Sequence, residues 1–149
     1  MKLLVCVDGS KVTEKVLEKT AELVSGCRID SITLIHVFDK VTFPVLDDGS
    51  VQYNEEILDS YKQMNEELLK ERNHILEESA KKLRKTGVEP ELFLKEGHPA
   101  RTIISVAEEG SYDLIIIGSR GVSGLKKSLL GSISNAVIQE TNVSVMVVK

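Results

Sequence analysis

The stretch Gly118-Ser119-Arg120-Gly121-Val122-Ser123-Gly124-Leu125-Lys126-Lys127-Ser128-Leu129-Leu130-Gly131-Ser132 holds the residue types best suited to chemistry in this chain. Gly118 and Gly121 come directly after the apolar run Asp113-Leu114-Ile115-Ile116-Ile117. Glycine at such a point allows a positive φ and lets the backbone come close to a ligand. Gly131-Ser132 then opens a helix-like segment, whose first N–H groups and positive dipole end suit phosphate. Ser132 and Ser134 add hydroxyl donors, and Arg120, Lys126 and Lys127 gather positive charge in a chain of formal net charge −4. Two glycine-rich approaches around a basic, serine-rich loop fit a polyphosphate. Glycines after a strand also make plain turns, so a lone glycine pair is weak evidence. The spacing matches neither the Gly-Lys-Ser/Thr phosphate loop nor the dinucleotide pattern Gly-x-Gly-x-x-Gly.

Few other side chains form a reactive set. Asp8 follows an apolar run and either closes a turn or faces a ligand, and the glycine loop favours the ligand. His36 alternates with apolar residues and is expected to be packed and hydrogen-bonded. His98 belongs to a helix start and His74 to a solvated helix face. No pair of histidines has the His-x3-His spacing, so no protein-only metal site is expected. Asp47-Asp48 suits a solvated turn. Cys6 and Cys27 form no CxxC pair, and Cys6, inside an aliphatic run, suits a buried structural thiol. There is no Gly-x-Ser-x-Gly elbow and no Ser/His/Asp arrangement.

The elements around these residues alternate. Lys2–Val7 is a short aliphatic run stopped by Asp8-Gly9-Ser10, as in a buried strand and turn. A helix is expected over Lys11–Ser25, with Ser10 as its N-cap and Gly26 as its stop. Ile29–Phe38 suits a second strand, and Asp39–Ser50, with Pro44, a loop. Gln52–Thr86 lacks Gly and Pro and carries the stripe Ile57, Leu58, Tyr61, Met64, Leu68, Ile75, Leu76, Ala80 and Leu83. Unbroken, that helix would be roughly 50 Å long, so it either breaks or projects, and Gly87 caps its end. The cluster Lys81-Lys82-Leu83-Arg84-Lys85 opposes the negative end of the dipole there. Strands at Glu91–Lys95, Asp113–Ile117 and Val143–Val148 alternate with helices at Pro99–Glu109 and Ser132–Glu140. This βα alternation predicts a parallel sheet covered on both faces, with ligands beyond the carboxyl ends of its strands.

A length of 149 residues is one ordinary domain, 1–149, which leaves no room for a separate substrate domain. Such a chain buries roughly 70% of its unfolded surface and needs neither disulfide nor metal to fold. The acidic balance argues against a nucleic-acid backbone binder. No apolar run reaches the ~18 residues of a membrane span, and Met1-Lys2 leads into a strand without a secretory pattern. A cytoplasmic protein without a membrane partner is expected.

The full spacing Gly118-x2-Gly121-x9-Gly131-Ser132 resembles the nucleotide-binding signature of the universal stress protein family. Val5-Cys6-Val7-Asp8-Gly9-Ser10, Leu34-Ile35-His36-Val37, Glu96-Gly97-His98-Pro99-Ala100 and Val143-Ser144-Val145-Met146-Val147-Val148 resemble further family segments, so the likeness covers nearly the whole chain. It implies a single-domain, doubly wound α/β fold of the adenine nucleotide alpha hydrolase kind, five parallel strands in the order 3-2-1-4-5, helices on both faces. It also implies ATP binding. Asp8 and Val7 would meet the ribose or adenine side, and the Val37 backbone the adenine edge. Ile117 and Gly118 would floor the ribose and phosphate region, and Gly121 would approach the phosphates. Gly131, Ser132, Ile133 and Ser134 would donate to phosphate oxygens. Arg120 as a phosphate contact follows from its charge alone. Mg2+ or Mn2+ held through the phosphates needs few protein ligands.

The expected function is that of an ATP-binding stress-response or regulatory protein acting through an unknown protein partner, with at most slow hydrolysis. An adenylyl-transferring enzyme of related fold and a nucleotide-free interaction module are the alternatives. An aliphatic final strand at a sheet edge could pair with its copy, and the resemblance implies the same homodimer through Val143–Val148.

Overall fold

The computed structural model describes residues 1–39, 55–121 and 130–149. The loop expected up to Ser50, Asp47-Asp48, the helix start at 52–54 and residues 122–129 of the glycine loop, with Lys126 and Lys127, lie outside the described residues. The elements in chain order are β1 (Lys2–Cys6), α1 (Lys11–Gly26), β2 (Ser31–Phe38), α2 (Glu55–Arg84), β3 (Glu91–Glu96), α3 (Pro99–Glu109), β4 (Leu114–Gly118), α4 (Ser132–Glu140) and β5 (Ser144–Val148).

The strands form one five-stranded parallel sheet in the order β3-β2-β1-β4-β5. Its centre is aliphatic on both faces because helices cover both. Val5 pairs with Leu34 on one side and with Ile116 on the other. Leu3, Val5, Leu34 and Ile116 pack with Val16 and Leu17 of α1 and with Leu76, Ala80 and Leu83 of α2. Leu4, Ile35, Ile115 and Ile117 pack with Ile103 and Ala107 of α3 and with Val137 of α4. Each such Leu, Ile or Val side chain, fully buried, contributes roughly 1.5–3 kcal/mol. The chain winds from β1 outward to β3, then returns to β4 on the other side of β1. The connections after β1 and β4 therefore diverge and leave a crevice at their carboxyl ends.

The long helix does not break. α2 runs through 30 residues, about 45 Å at 1.5 Å per residue. Its buried residues are Leu76, Ser79, Ala80 and Leu83, whereas Ile57, Met64 and Leu69 toward its start are exposed. Past its end, Gly87 adopts a φ of +82° and donates its N–H to the Arg84 carbonyl at 3.0 Å.

Strand and cap details differ from the sequence expectation. β2 begins at Ser31 rather than Ile29, because Asp30 N–H is held by the Met1 carbonyl at 2.9 Å, outside the ladder. Val7 lies beyond β1, yet its N–H still donates to the Ile35 carbonyl at 3.0 Å. Ser10 holds the N-cap position of α1, but its hydroxyl makes no capping bond.

Candidate functional site

A cavity of about 330 Å³ opens where β1, β2 and β4 end. Val7, Asp8, Val37, Ile117, Gly118, Arg120, Gly121, Gly131, Ser132, Ile133 and Ser134 all line it. Residues separated by more than a hundred positions thus meet because three adjacent strands end together.

Asp8 both closes a turn and faces the cavity. Its Oδ1 accepts from Ser10 N–H at 2.9 Å and from Thr13 Oγ1 at 2.8 Å. Thr13 Oγ1 in turn accepts from Asp8 N–H at 3.2 Å, so the carboxylate is locked in place. Oδ2 faces Gly121, where an added Cβ would lie 3.0 Å away. Gly118 is equally tight: a Cβ there would come within 2.9 Å of Val12 Cγ1 and 3.2 Å of the Arg120 carbonyl. Of the two freedoms glycine offers, a positive φ and a close approach, neither glycine uses the first. Their small size provides close backbone packing rather than an unusual turn.

At the far wall stands the start of α4. Buried Ser119 ties it down, donating its N–H to the Val148 carbonyl at 2.7 Å and accepting Gly131 N–H at 2.8 Å. The N–H groups of Ser132, Ile133 and Ser134 fall in the first helical turn and have no intrahelical acceptor. With the positive dipole end they form an anion-seeking wall. The Ser134 hydroxyl was expected to be a free donor. It instead donates inward, to the carbonyls of Gly131 at 3.0 Å and Ser119 at 3.3 Å, and so locks the helix start. Only the Ser134 N–H remains for a ligand.

The opposite end has polar side chains that the sequence did not assign to the site: Ser10, Thr13, His36 and Arg72. His36 is 2% exposed, and its Nδ1 lies 2.7 Å from the Val7 carbonyl, so Nδ1 carries the proton. Arg72 Nη1 approaches its Nε2 at 3.4 Å. Burial, and then the Arg72 charge, hold the imidazole below the usual histidine range despite the Val7 bond and the Asp8 and Glu71 charges. The packed, hydrogen-bonded histidine expected from sequence is present, but it belongs to the cavity wall. His74 and His98 are exposed. Cys6, expected to be buried, is half-buried on the same wall. Burial and the Asp8 charge push its thiol above the ordinary range, so it stays protonated. Among the described residues, no three His, Cys, Asp or Glu side chains cluster as metal ligands. No described helix is long and apolar enough to cross a membrane.

The fold and crevice define a doubly wound α/β domain with a ligand-sized cavity at its switch point. The chain belongs to the universal stress protein family, whose family model matches residues 1–149. It is 35% identical over 150 residues to the universal stress protein YxiE of Bacillus subtilis, across 99% of this chain and 98% of that protein. It is also similar to the solved structure of MJ0577, a universal stress protein of Methanocaldococcus jannaschii. There the TM-score is 0.80 at 27% identity, over 99% of this chain and 94% of that one. A universal stress protein from Archaeoglobus fulgidus, solved in complex with dAMP, shares the fold. Its TM-score is 0.63 at 23% identity, over 100% of this chain and 98% of that one.

Proposed function

We propose that this protein binds ATP, with a divalent ion, in the crevice at the ends of β1, β2 and β4, and acts as a stress-response regulator. The observation that carries this reading is convergence. Both glycine approaches, Asp8, Val37 and the first turn of α4 line a single cavity of about 330 Å³, within the roughly 300–1,000 Å³ of small-molecule sites. The donor set fits a nucleotide. Backbone N–H groups and a dipole end suit phosphate oxygens, and the apolar walls Val7, Val37 and Ile117 suit a base. The Ser10 hydroxyl is shielded from solvent without a partner among the described residues, as expected of a group that serves a ligand. The Archaeoglobus fulgidus relative with dAMP supports an adenine nucleotide as the class of ligand.

Bound ATP would supply the phosphates that hold Mg2+ or Mn2+, with water completing the shell. Hydrolysis is slow in this reading. Asp8 has one oxygen committed to Ser10 and Thr13, and both ring nitrogens of His36 are engaged. Neither is poised to deprotonate an attacking water. The readout is then a surface near the glycine loop, seen by a protein partner in the cytoplasm. β5 is an edge strand, and pairing across a two-fold axis through Val143–Val148 would satisfy its outer backbone groups. Light scattering at micromolar concentration should give a dimer, and a monomer would remove that part.

Denaturing the freshly purified protein and analysing the released small molecules by mass spectrometry tests the site. An adenine nucleotide is expected. No nucleotide, together with no uptake at millimolar ATP, would leave the loop architectural and make the protein an interaction module.

A further inference from the structure

A charged residue interrupts the packed stripe of α2. Leu68, Arg72, Leu76 and Ala80 recur every four residues on one face of the helix, and Leu76 and Ala80 are buried in the core. Position 72 should therefore carry an aliphatic side chain. It carries an arginine, which reaches over the end of β2 into the cavity.

Among the described residues, the surroundings of Arg72 hold it in place without neutralising it. Its Nη1 lies 3.4 Å from His36 Nε2. Because His36 Nδ1 faces the Val7 carbonyl at 2.7 Å, Nδ1 donates and Nε2 is left as an acceptor. The chain Val7 carbonyl, neutral imidazole, guanidinium thus runs in one direction, and each link fixes the next. Yet Arg72 Nε is shielded from solvent and makes no hydrogen bond among the described residues. No described carboxylate lies within ion-pair distance of the guanidinium; the described ion pairs of α2 all lie elsewhere on the helix. Leaving a guanidinium donor dry and unpaired is costly and calls for an acceptor, and in a cavity wall a ligand can supply it.

Its place in the cavity says which part of a ligand that is. Arg72 stands at the β2 end beside His36, while the N–H wall of α4 stands beyond β4. β1 lies between β2 and β4, and α2 and α4 pack on opposite faces of the sheet, so the two ends stand at least two strand spacings apart, roughly 10 Å or more. Phosphates seated on α4 would leave the base and sugar toward β1 and β2, the part of the cavity that Arg72 lines.

We propose that Arg72, seated on His36, is a specificity-determining residue that donates to an acceptor on the base-and-sugar half of the nucleotide, with His36 as its positioning residue. The proposal rests on the nucleotide reading above. Arg72 can only donate, so it selects ligands that present a lone pair there, a ring nitrogen, carbonyl or ribose oxygen. It is independent of how many phosphates the ligand carries.

Calorimetric titration of wild type and variants with ATP and with AMP tests this. Arg72→Ala should weaken both ligands by the same factor, about tenfold, as for loss of a charge-assisted hydrogen bond. Arg72→Lys retains the charge and most of the bulk but has no donor at the Nε position. It should fold like wild type and still be weakened for both ligands. His36→Phe should lower both affinities together, and His36→Gln, which keeps an acceptor, should recover part of the loss. A loss confined to ATP would make Arg72 a phosphate contact and overturn the proposal, as would Arg72→Ala binding both ligands like wild type. A wild-type protein that binds neither ligand would instead overturn the nucleotide reading itself, and this proposal with it.

Discussion

The two ends of the cavity are built from different materials. The end at β4 and α4 is backbone: close-packed glycines, a helix start and its unpaired N–H groups. The end at β2 and α2 is side chain: His36 and Arg72, contributed by elements that also supply core residues, Leu34 from β2 and Leu76 and Ala80 from α2. A backbone site cannot titrate and, at Gly118 and Gly121, leaves little room for a Cβ. A side-chain site tolerates substitution more readily but responds to pH. The first is suited to phosphate, whose charge is fixed by its own chemistry. The second is suited to choosing among ligands.

The largest effect should come from the backbone end. Gly121→Val introduces a branched side chain whose Cβ would lie 3.0 Å from Asp8 Oδ2, in the space between two cavity walls. Nucleotide binding should fall by about a hundredfold or more, since both the approach of the backbone and the Asp8 position are lost. The thermal melt should move little, because the position lies on the cavity wall rather than in the core. Retained affinity would mean that Gly121 does not approach the ligand, and the contrast between the ends would collapse.

A smaller effect separates the ends by pH. His36 is held below its usual value of 6.5 in the fold, by burial first and then by the Arg72 charge, against the Val7 hydrogen bond and the Asp8 and Glu71 charges. Below about pH 6.5 the unfolded chain binds this proton and the native one does not. Its contribution to stability is therefore complete above that pH and is lost as pH falls toward the lowered native value. Urea melts between pH 8 and 5 should show this slope, and His36→Gln should lack it. Equal slopes in both proteins would mean that the imidazole is not held neutral by its surroundings.

The smallest effect concerns the helix start. Ser134→Ala removes the hydroxyl that ties Gly131 and Ser119, and should cost about 1 kcal/mol in chemical denaturation. Nucleotide affinity should change by less than about threefold, because the Ser134 N–H survives. A large loss of affinity with unchanged stability would show that the hydroxyl itself serves the ligand.

The same contrast explains what could be read from sequence. A backbone site needs glycines at fixed intervals and a helix start, so Gly118, Gly121 and Gly131-Ser132 mark it in the linear chain. The bounds of α4 and the proline-led start of α3 were legible for related reasons, each set by local stereochemistry. Arg72 left no such mark. One charge in a helix rich in Glu, Lys and Arg looks solvated, and only tertiary packing puts it on the buried stripe. His36 was legible as a packed residue but not as a cavity wall, because its partners Val7 and Arg72 come from other elements. Of the two properties that glycine offers at Gly118 and Gly121, the fold uses the small size, against Val12 and Asp8, and not the positive φ. Whether α2 would break was not legible either. No residue in it stops a helix, and the packing of Leu76, Ala80 and Leu83 anchors only its later turns.

The most direct test is calorimetric titration of the nucleotide-free protein with ATP and Mg2+, beside the Gly121→Val variant. Micromolar binding at one site per chain, lost in the variant while its thermal melt is retained, is the predicted result. No binding by the wild-type protein at millimolar ATP, or equal binding by both proteins, would contradict a nucleotide site built on the backbone of β4 and α4.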